Sequence, residues 1–498
     1  MRSFITSKKQ YKMQGGRSSG RKASRIGRQA IVCLFWLALW QAAAVVIAKP
    51  LILPGRWETL TTLVSRAGES TFYFNIFWTL LRCLLAMALS FSLGCLCAYC
   101  AYRLPALRSL LTLPVGFFKA VPVMAIIIYV ILLASADWVA VIVCFLMCFP
   151  IVYTNILAGL DSTSEEFLEL AYIYDLTSAE KARYIYLPGI RTYIMSAVQL
   201  IAGMSWKAVV AAEVLSIPKY SLGYEMMNSK YYLQTPVLFA YILVIVVLSL
   251  AMEKIIGLLM GRSVPSGYEG SRLHIRRGRQ RQADTDVYGR CPDEGSRAPA
   301  IVFSGVTKAF EGQKVLDDFN ALFDSGKVTL LMGPSGRGKT TVARLAAGLE
   351  RPDGGSITIG PGAELSFLFQ EDRLLPWLNI YDNMALGLLR DGESKASGSM
   401  TAEDQVIEMA RALEIGDSLW KLPEELSGGM KHRAALGRTF LAASNVMVMD
   451  EPFRGLDKEL KERIIRRLWN RVSAGKTVIL ITHDDKDAQI LGEKAIEI

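Results

Sequence analysis

Between residues 31 and 260 the chain returns repeatedly to apolar runs long enough to cross a lipid bilayer, and no other feature restricts its fold so severely. About 20 residues of helix cross the hydrocarbon core, and inside it every backbone polar group needs a partner within the protein. Six spans are expected, at 31–48, 74–101, 110–134, 138–160, 192–215 and 236–260. Pro114, Lys119 and Pro122 interrupt the third, which predicts a broken helix where neighbouring protein or a cavity satisfies the freed backbone groups.

Charge is distributed unevenly around these runs. Residues 1–30 carry nine Lys or Arg and no acid, within a formal net charge of +10 for the 498 residues. A basic cluster beside an apolar run reads as the cytoplasmic flank of a first span, and no nucleic-acid partner is expected from it. Ala42-Ala43-Ala44 imitates a signal-peptide cleavage site, but the basic region is long and further spans follow, so an uncleaved first span is expected. Six crossings from a cytoplasmic start leave the loop at 161–191, and everything after 260, in the cytoplasm. Residues 261–299 are rich in Gly, Pro, Ser and Arg without apolar periodicity. They read as a flexible basic linker, part of which can lie along anionic lipid headgroups. Seven of the eight cysteines lie in or beside the spans, with Cys291 in the linker. Cys97 and Cys100 have C-x-x-C spacing without a second pair or a nearby His, so apolar packing is expected rather than metal or redox chemistry.

The expected organisation is therefore a basic amino terminus (1–30), an all-α polytopic membrane domain (31–260), a linker (261–299) and a soluble α/β domain (300–498). In that last part, "LLMGPSGRGKTT" passes from an apolar strand into a helix. Gly333, Gly336, Gly338, Lys339 and Thr340 fit G-x-x-x-x-G-K-[ST], and the loop also includes Pro334, Ser335, Arg337 and Thr341. Glycines let backbone N–H groups wrap phosphates, and the helix amino terminus adds a favourable dipole. Lys339 is expected at the β- and γ-phosphates of ATP, with the Thr340 hydroxyl on Mg2+. The run "NVMVMDEP" is a buried strand ending in two carboxylates: Asp450 suits the metal, and Glu451 suits polarisation of an attacking water. Between them, "LSGGMKHRAALGRTF" sets Ser427, Gly428, Gly429 and Met430 before another helix, a second phosphate-binding arrangement. One nucleotide does not need two such loops from one chain, so this loop is expected to serve the ATP of a second copy.

On these motifs residues 301–498 resemble the ATP-binding cassette (ABC) family, which implies an α/β P-loop ATPase. By position the resemblance implies that Phe310 stacks on adenine and that Gln370 senses metal and water while touching the membrane domain. It also makes Asp457 a dimer contact and His483 the switch near the γ-phosphate. Four departures stand out: Arg337 replaces a small residue in the phosphate loop, His432 stands where Gln usually follows the signature, and Arg454 and Gly437 are unusual. The chain ends 15 residues after His483, short of the carboxy-terminal helices many relatives carry.

The membrane half resembles the permease of a binding-protein-dependent importer. Such permeases carry E-A-A, three residues, G, nine residues, then I-x-L-P. Glu169, Ala171, Ile185, Leu187 and Pro188 fall at those spacings, with Leu170 in second place and Asp175 replacing Gly. The resemblance implies a short cytoplasmic coupling helix docked on the ATPase near the glutamine loop; Asp takes a left-handed position less cheaply than the Gly it replaces. An exporter half-transporter has the same domain order, but its helices extend far into the cytoplasm, and these spans are compact. A nucleotide-regulated channel or receptor would not need Glu451. The stretches "QEDRLLPW", "FFKAVPVMAI" and "GMSWKAVVAAEVL" are most similar to the nitrate, sulfonate, taurine and bicarbonate group. That similarity implies a homodimer in the inner membrane, an extracytoplasmic binding protein and a small anionic or heteroaromatic solute.

Arg82, Lys119 and Lys207 lie in or beside spans, where a central charge costs roughly 2.5–3.5 kcal/mol on insertion scales. Each is expected to snorkel, to pair with another span, or to help a small anion cross. Glu213 lies six residues from Lys207, about 240° around an ideal helix, so the two do not share a face.

Overall fold

The computed structural model describes residues 31–32, 34–49, 51–262, 300–334, 336–389, 401–483, 491 and 494–498. The basic amino terminus, the linker from 263 on, Cys33, Cys291 and Ser335 lie outside the described residues. Packing divides the chain into two units. One holds the chain up to Asp161 and Arg191–Arg262; the other holds Ser162–Ile190 and the residues from 300 on.

The six expected spans resolve into four long helices, one bent pair and one short helix. The first run gives α1 (Leu34–Ile47), shorter than the roughly 20 residues a crossing needs. After α2 (Arg56–Ala67), which is not a span, comes α3 (Ser70–Arg103), then α4 (Pro105–Ala120) and α5 (Val123–Leu133). The pair α4–α5 is bent by 107°. Pro122 causes the break: it caps α5, and Val121 before it takes the extended conformation (ψ 132°) that a following proline favours. Pro114 does not interrupt α4. Then α6 (Ala136–Asp161) leads into the second unit, whose first helices are α7 (Glu165–Ile173), α8 (Ser178–Lys181) and α9 (Leu187–Gly189). The chain returns to the first unit with α10 (Arg191–Ser216), α11 (Leu222–Tyr231) and α12 (Thr235–Arg262).

Small residues set the close packing of α3. Cys83, Ala86, Ser90, Gly94, Ala98 and Ala101 form its buried stripe at three- and four-residue spacing. A Cβ on Gly94 would stand 2.7 Å from Val152 Cγ1 of α6, closer than side chains tolerate. Between these helices lies a polar cluster in which Arg82 and Glu213 are buried and Asp137 is exposed. Arg82 donates to Glu213 Oε1 at 3.0 Å, to Asp137 Oδ1 at 2.8 Å and to the Tyr220 carbonyl at 2.8 Å. The other Glu213 oxygen accepts from Thr79 at 2.9 Å and from the Gly223 N–H at 3.3 Å. Arg82 is therefore neutralised by two carboxylates and is not a free cation for a passing anion, which corrects that part of the sequence expectation. Lys119 reaches Thr154 Oγ1 at 3.3 Å, and Lys207 is exposed.

In the second unit β1 (Ile301–Phe310) and β2 (Gln313–Phe323) form a hairpin closed by Glu311 and Gly312, both at positive φ as a tight two-residue turn requires. The strand β3 (Val328–Met332) leads into α13 (Lys339–Ala346), and β4 (Gly354–Ile359) returns beside β1, giving the antiparallel order β2-β1-β4. The remaining strands are β5 (Leu365–Leu368), β6 (Val446–Asp450), β7 (Thr477–Ile481) and β8 (Lys494–Glu497), which join β3 in the order β5-β6-β7-β3-β8. All pairs in this sheet are parallel. The runs VMVMD and TVILI are buried throughout, as strands covered on both faces must be. Helices α14 (Ile380–Ala385), α15 (Ala402–Ala412), α16 (Gly428–Leu441), α17 (Lys458–Ile464) and α18 (Asn470–Ser473) complete the unit. Gly437 of α16 is explained by packing: a Cβ there would lie 2.6 Å from Met384 Cε and 2.8 Å from Leu413 Cδ1.

Candidate nucleotide site and coupling segment

Parallel strands bring their carboxyl ends to one edge, where open α/β sheets place their ligand sites. Here the register aligns Asp450 with Ile481 and Ile481 with Leu331, so β6, β7 and β3 end together. The phosphate loop leaves β3, Asp450 ends β6 with Glu451 directly after it, His483 follows β7 and Gln370 follows β5.

The loop's backbone needs its glycines. Gly333, Gly336 and Gly338 have φ of 141°, 81° and 95°, and a Cβ on Gly333 would meet the Ile498 carbonyl at 2.6 Å. Lys339 is 5% exposed and donates to the carbonyls of Gly333 at 2.7 Å and Pro334 at 2.8 Å. Among the described residues this buried ammonium is held by carbonyls of its own loop, as suits a cation fitted to an anion. The Thr340 hydroxyl donates to Asp450 Oδ2 at 2.8 Å. Burial pushes the Asp450 carboxyl above its usual range, against the Thr340 bond, with the neighbouring Glu451 charge adding to the rise. A hydroxyl and a carboxylate are hard oxygen donors of the kind Mg2+ takes, so these residues fit the ion.

Glu451 has φ of 51°, a left-handed conformation that a non-glycine residue keeps only under constraint. One of its carboxylate oxygens lies 3.2 Å from His483 Nε2, and Arg454 Nε stands 3.9 Å from the other. Gln370, Arg337 and Thr340 are exposed, and Thr341 is half-buried. Phe310 is 43% exposed at the end of β1, with Lys308 Nζ 5.2 Å from its ring centre. Ser427 stands at the cap of α16 with no side-chain capping bond among the described residues, beside exposed Gly428 and half-buried Gly429 and Met430. Asp457 caps α17, accepting from the Leu460 N–H at 2.8 Å.

The segment 162–190 packs in this same unit. Leu170, Ala171, Ile173, Tyr174, Leu176, Tyr184 and Ile185 are buried in one apolar cluster with Phe369, Leu374, Leu375 and Leu378. Leu187 is exposed and Pro188 half-buried. Glu169 at the edge of that cluster bridges two arginines: Arg344 Nη2 at 2.6 Å and Arg373 Nη1 at 2.5 Å. Burial alone would push the Glu169 carboxyl up, but the bonds from Arg344 and then Arg373 outweigh it and hold the group below its usual range. Trp377 Nε1 donates to the Tyr184 carbonyl at 2.7 Å. Sequence reasoning missed both arginines. Each was within reach of a motif: Arg344 lies one turn along α13 from Thr340, and Arg373 three residues past Gln370.

Asp175 resolves the substitution at the family glycine. It has φ of 50° and ends α7 in a Schellman arrangement, with Leu176 N–H on the Ala171 carbonyl at 2.9 Å and its own N–H on Tyr172 at 3.2 Å. The position does require a left-handed residue, and Asp is among the non-glycine types that visit that region most readily.

Comparison with known proteins gives the family. Residues 316–454 match the family described as ABC transporter, and residues 90–263 match the binding-protein-dependent transport system inner membrane component. An aliphatic sulfonates import ATP-binding protein of Delftia acidovorans is 38% identical over 204 residues, covering 40% of this chain and 80% of that protein. A protein of the same description from Rhizobium johnstonii is 33% identical over 226 residues, 43% of this chain and 80% of that one. A solved ATP-binding subunit of an ABC transporter is 23% identical over 40% of this chain and 85% of that one, with a TM-score of 0.36. The chain belongs to the ABC transporter family. It joins a binding-protein-dependent permease to its ATPase in one polypeptide, a fused member of the importer group that spans the inner membrane several times, keeps its ATPase in the cytoplasm and couples ATP hydrolysis to transport.

Proposed function

We propose that two copies of this chain form one importer, each lending the signature loop at Ser427–Met430 to the ATP held by the other's phosphate loop. Lys339 and the loop amides hold the β- and γ-phosphates, and Phe310 stacks on adenine. Mg2+ would be held by Thr340, Asp450 and Gln370 and supplies neutralising charge on the phosphate oxygens. Glu451 takes a proton from the attacking water as its oxygen bonds the γ-phosphorus and the bond to the leaving ADP oxygen breaks. His483 holds the Glu451 carboxylate and reads the γ-phosphate. Asp457 meets the second copy. The segment from Glu169 to Pro188 carries these events to the permease.

The observation that supports this reading most is the Glu169 bridge. One of its arginines sits on the helix that Lys339 begins, and the other follows Gln370, so the segment contacts the two elements that carry those residues. The named relatives import aliphatic sulfonates. For this chain the solute is a small anionic or heteroaromatic compound delivered by an extracytoplasmic binding protein.

Mixed dimers test the shared site. Lys339→Ala and Ser427→Ala each abolish ATP turnover as homodimers, whereas a dimer of one with the other retains one intact site and regains turnover. Mixed dimers no more active than either parent contradict it.

A further inference from the structure

One substituted position has a built environment that the proposed mechanism leaves unused. His432, on the first turns of α16, is 5% exposed and bonds through both sides of its ring. Its Nδ1 lies 2.9 Å from Asp372 Oδ1, and its Nε2 lies 2.9 Å from the Pro452 carbonyl. Both partners are acceptors, and the ring donates to both only with a proton on each nitrogen.

The two ends of this bridge matter. Pro452 directly follows Glu451, whose left-handed backbone (φ 51°) needs support from outside. On one side the Glu451 N–H donates to the Ile481 carbonyl at 3.0 Å. On the other, His432 holds the next carbonyl. Asp372 in turn precedes Arg373, which binds Glu169. A second side chain of α16, Arg438, is 1% exposed and donates to the carbonyls of both Asp372 and Arg373 at 3.0 Å. So α16, which Ser427 begins, grips the segment contacted by the coupling helix and also the backbone behind Glu451.

We propose that His432 is a positioning residue for hydrolysis: it ties the backbone of Glu451 to the Asp372–Arg373 segment, so that seating of the coupling helix and setting of the Glu451 carboxylate occur together. This rests on the assignment of Glu451 as the base. His432 touches neither nucleotide nor water and acts through its neighbours.

The test uses full-length transporter in lipid nanodiscs, with steady-state ATP turnover and nucleotide binding measured separately. His432→Ala lowers kcat about tenfold or more, because sub-ångström misplacement of a catalytic group is costly, and leaves KM for ATP within about threefold. His432→Gln with Asp372→Asn, which restores a donor–acceptor pair across the gap, recovers most of kcat. In a Glu169→Ala background, His432→Ala costs much less than in the parent, because the link is already cut. Unchanged kcat in His432→Ala, kcat and KM altered together, no recovery in the paired variant, or costs that simply multiply with Glu169→Ala each overturn the proposal. Glu451→Gln is the control. If it keeps turnover the base assignment fails, and if it loses turnover while His432→Ala does not, only this inference fails.

Discussion

Glu213 and Glu169 are both held by arginine, and the two clusters differ in what surrounds them. The Glu213 side chain has no exposure and its Arg82 partner has 6%, whereas Glu169 and Arg344 are each 23% exposed. In the first cluster Arg82 also binds Asp137 and the Tyr220 carbonyl, so three helices and a loop close on one guanidinium. In the second, two arginines from the nucleotide-binding unit converge on one carboxylate from a short segment. Near-complete burial makes the Arg82–Glu213 pair a lock on structure. Partial exposure makes the Glu169 contact weaker in stability.

The largest effect separating the two falls on the first cluster. Arg82→Ala leaves Glu213 buried without its cation, and breaking a buried pair from one side costs about 3–5 kcal/mol. Thermal unfolding of the purified transporter should drop steeply, while Arg82→Leu with Glu213→Leu recovers most of the loss. Equal stability in Arg82→Ala and parent would erase the contrast. For Glu169→Gln the expected loss in seating is about 1–2 kcal/mol, discounted for exposure, and it is read as faster hydrogen exchange across 165–190. Asp175→Gly moves the same segment the other way. Relieving a left-handed non-glycine residue should slow exchange there by up to about 1 kcal/mol in opening free energy.

The smallest effect is that of pH near neutrality. Glu169 is held below its usual range, so its contribution is fully present above that range and is lost as pH falls through its lowered value. Protection of 165–190 should stay level from pH 8 down to about 5 and fall only below the ordinary carboxylate range near 4. A decline between pH 8 and 6 would assign the seating to some other group. Asp450 has the opposite sign: its carboxyl is raised chiefly by burial, so its contribution to folding is present at low pH and lost as pH rises through the raised value.

Much of this was legible because some patterns are dictated locally. The phosphate loop announces itself by glycines that need positive φ, and β6 by an apolar run closed by two carboxylates. Long spans follow from hydropathy alone. What sequence did not disclose depends on distant partners. Arg82 reads as an isolated charge until Glu213, far along the chain, is seen beside it. Lys207 shares a helix with Glu213, but the helix period already set the two on different faces. The short α1 is not what hydropathy alone encodes, whereas the break at Pro122 was marked by the proline itself and only its 107° angle was not. Asp175 shows the converse: the family glycine correctly marked a left-handed residue, and the substitution kept the geometry.

The central claim is that Glu169 joins ATP hydrolysis to movement of the permease. The most direct measurement is the number of solute molecules taken up per ATP hydrolysed, in proteoliposomes with the cognate binding protein. For Glu169→Ala hydrolysis should slow but continue while uptake falls much further, so the ratio drops several-fold. A ratio equal to the parent's, whether both rates hold or both decline in step, would contradict it.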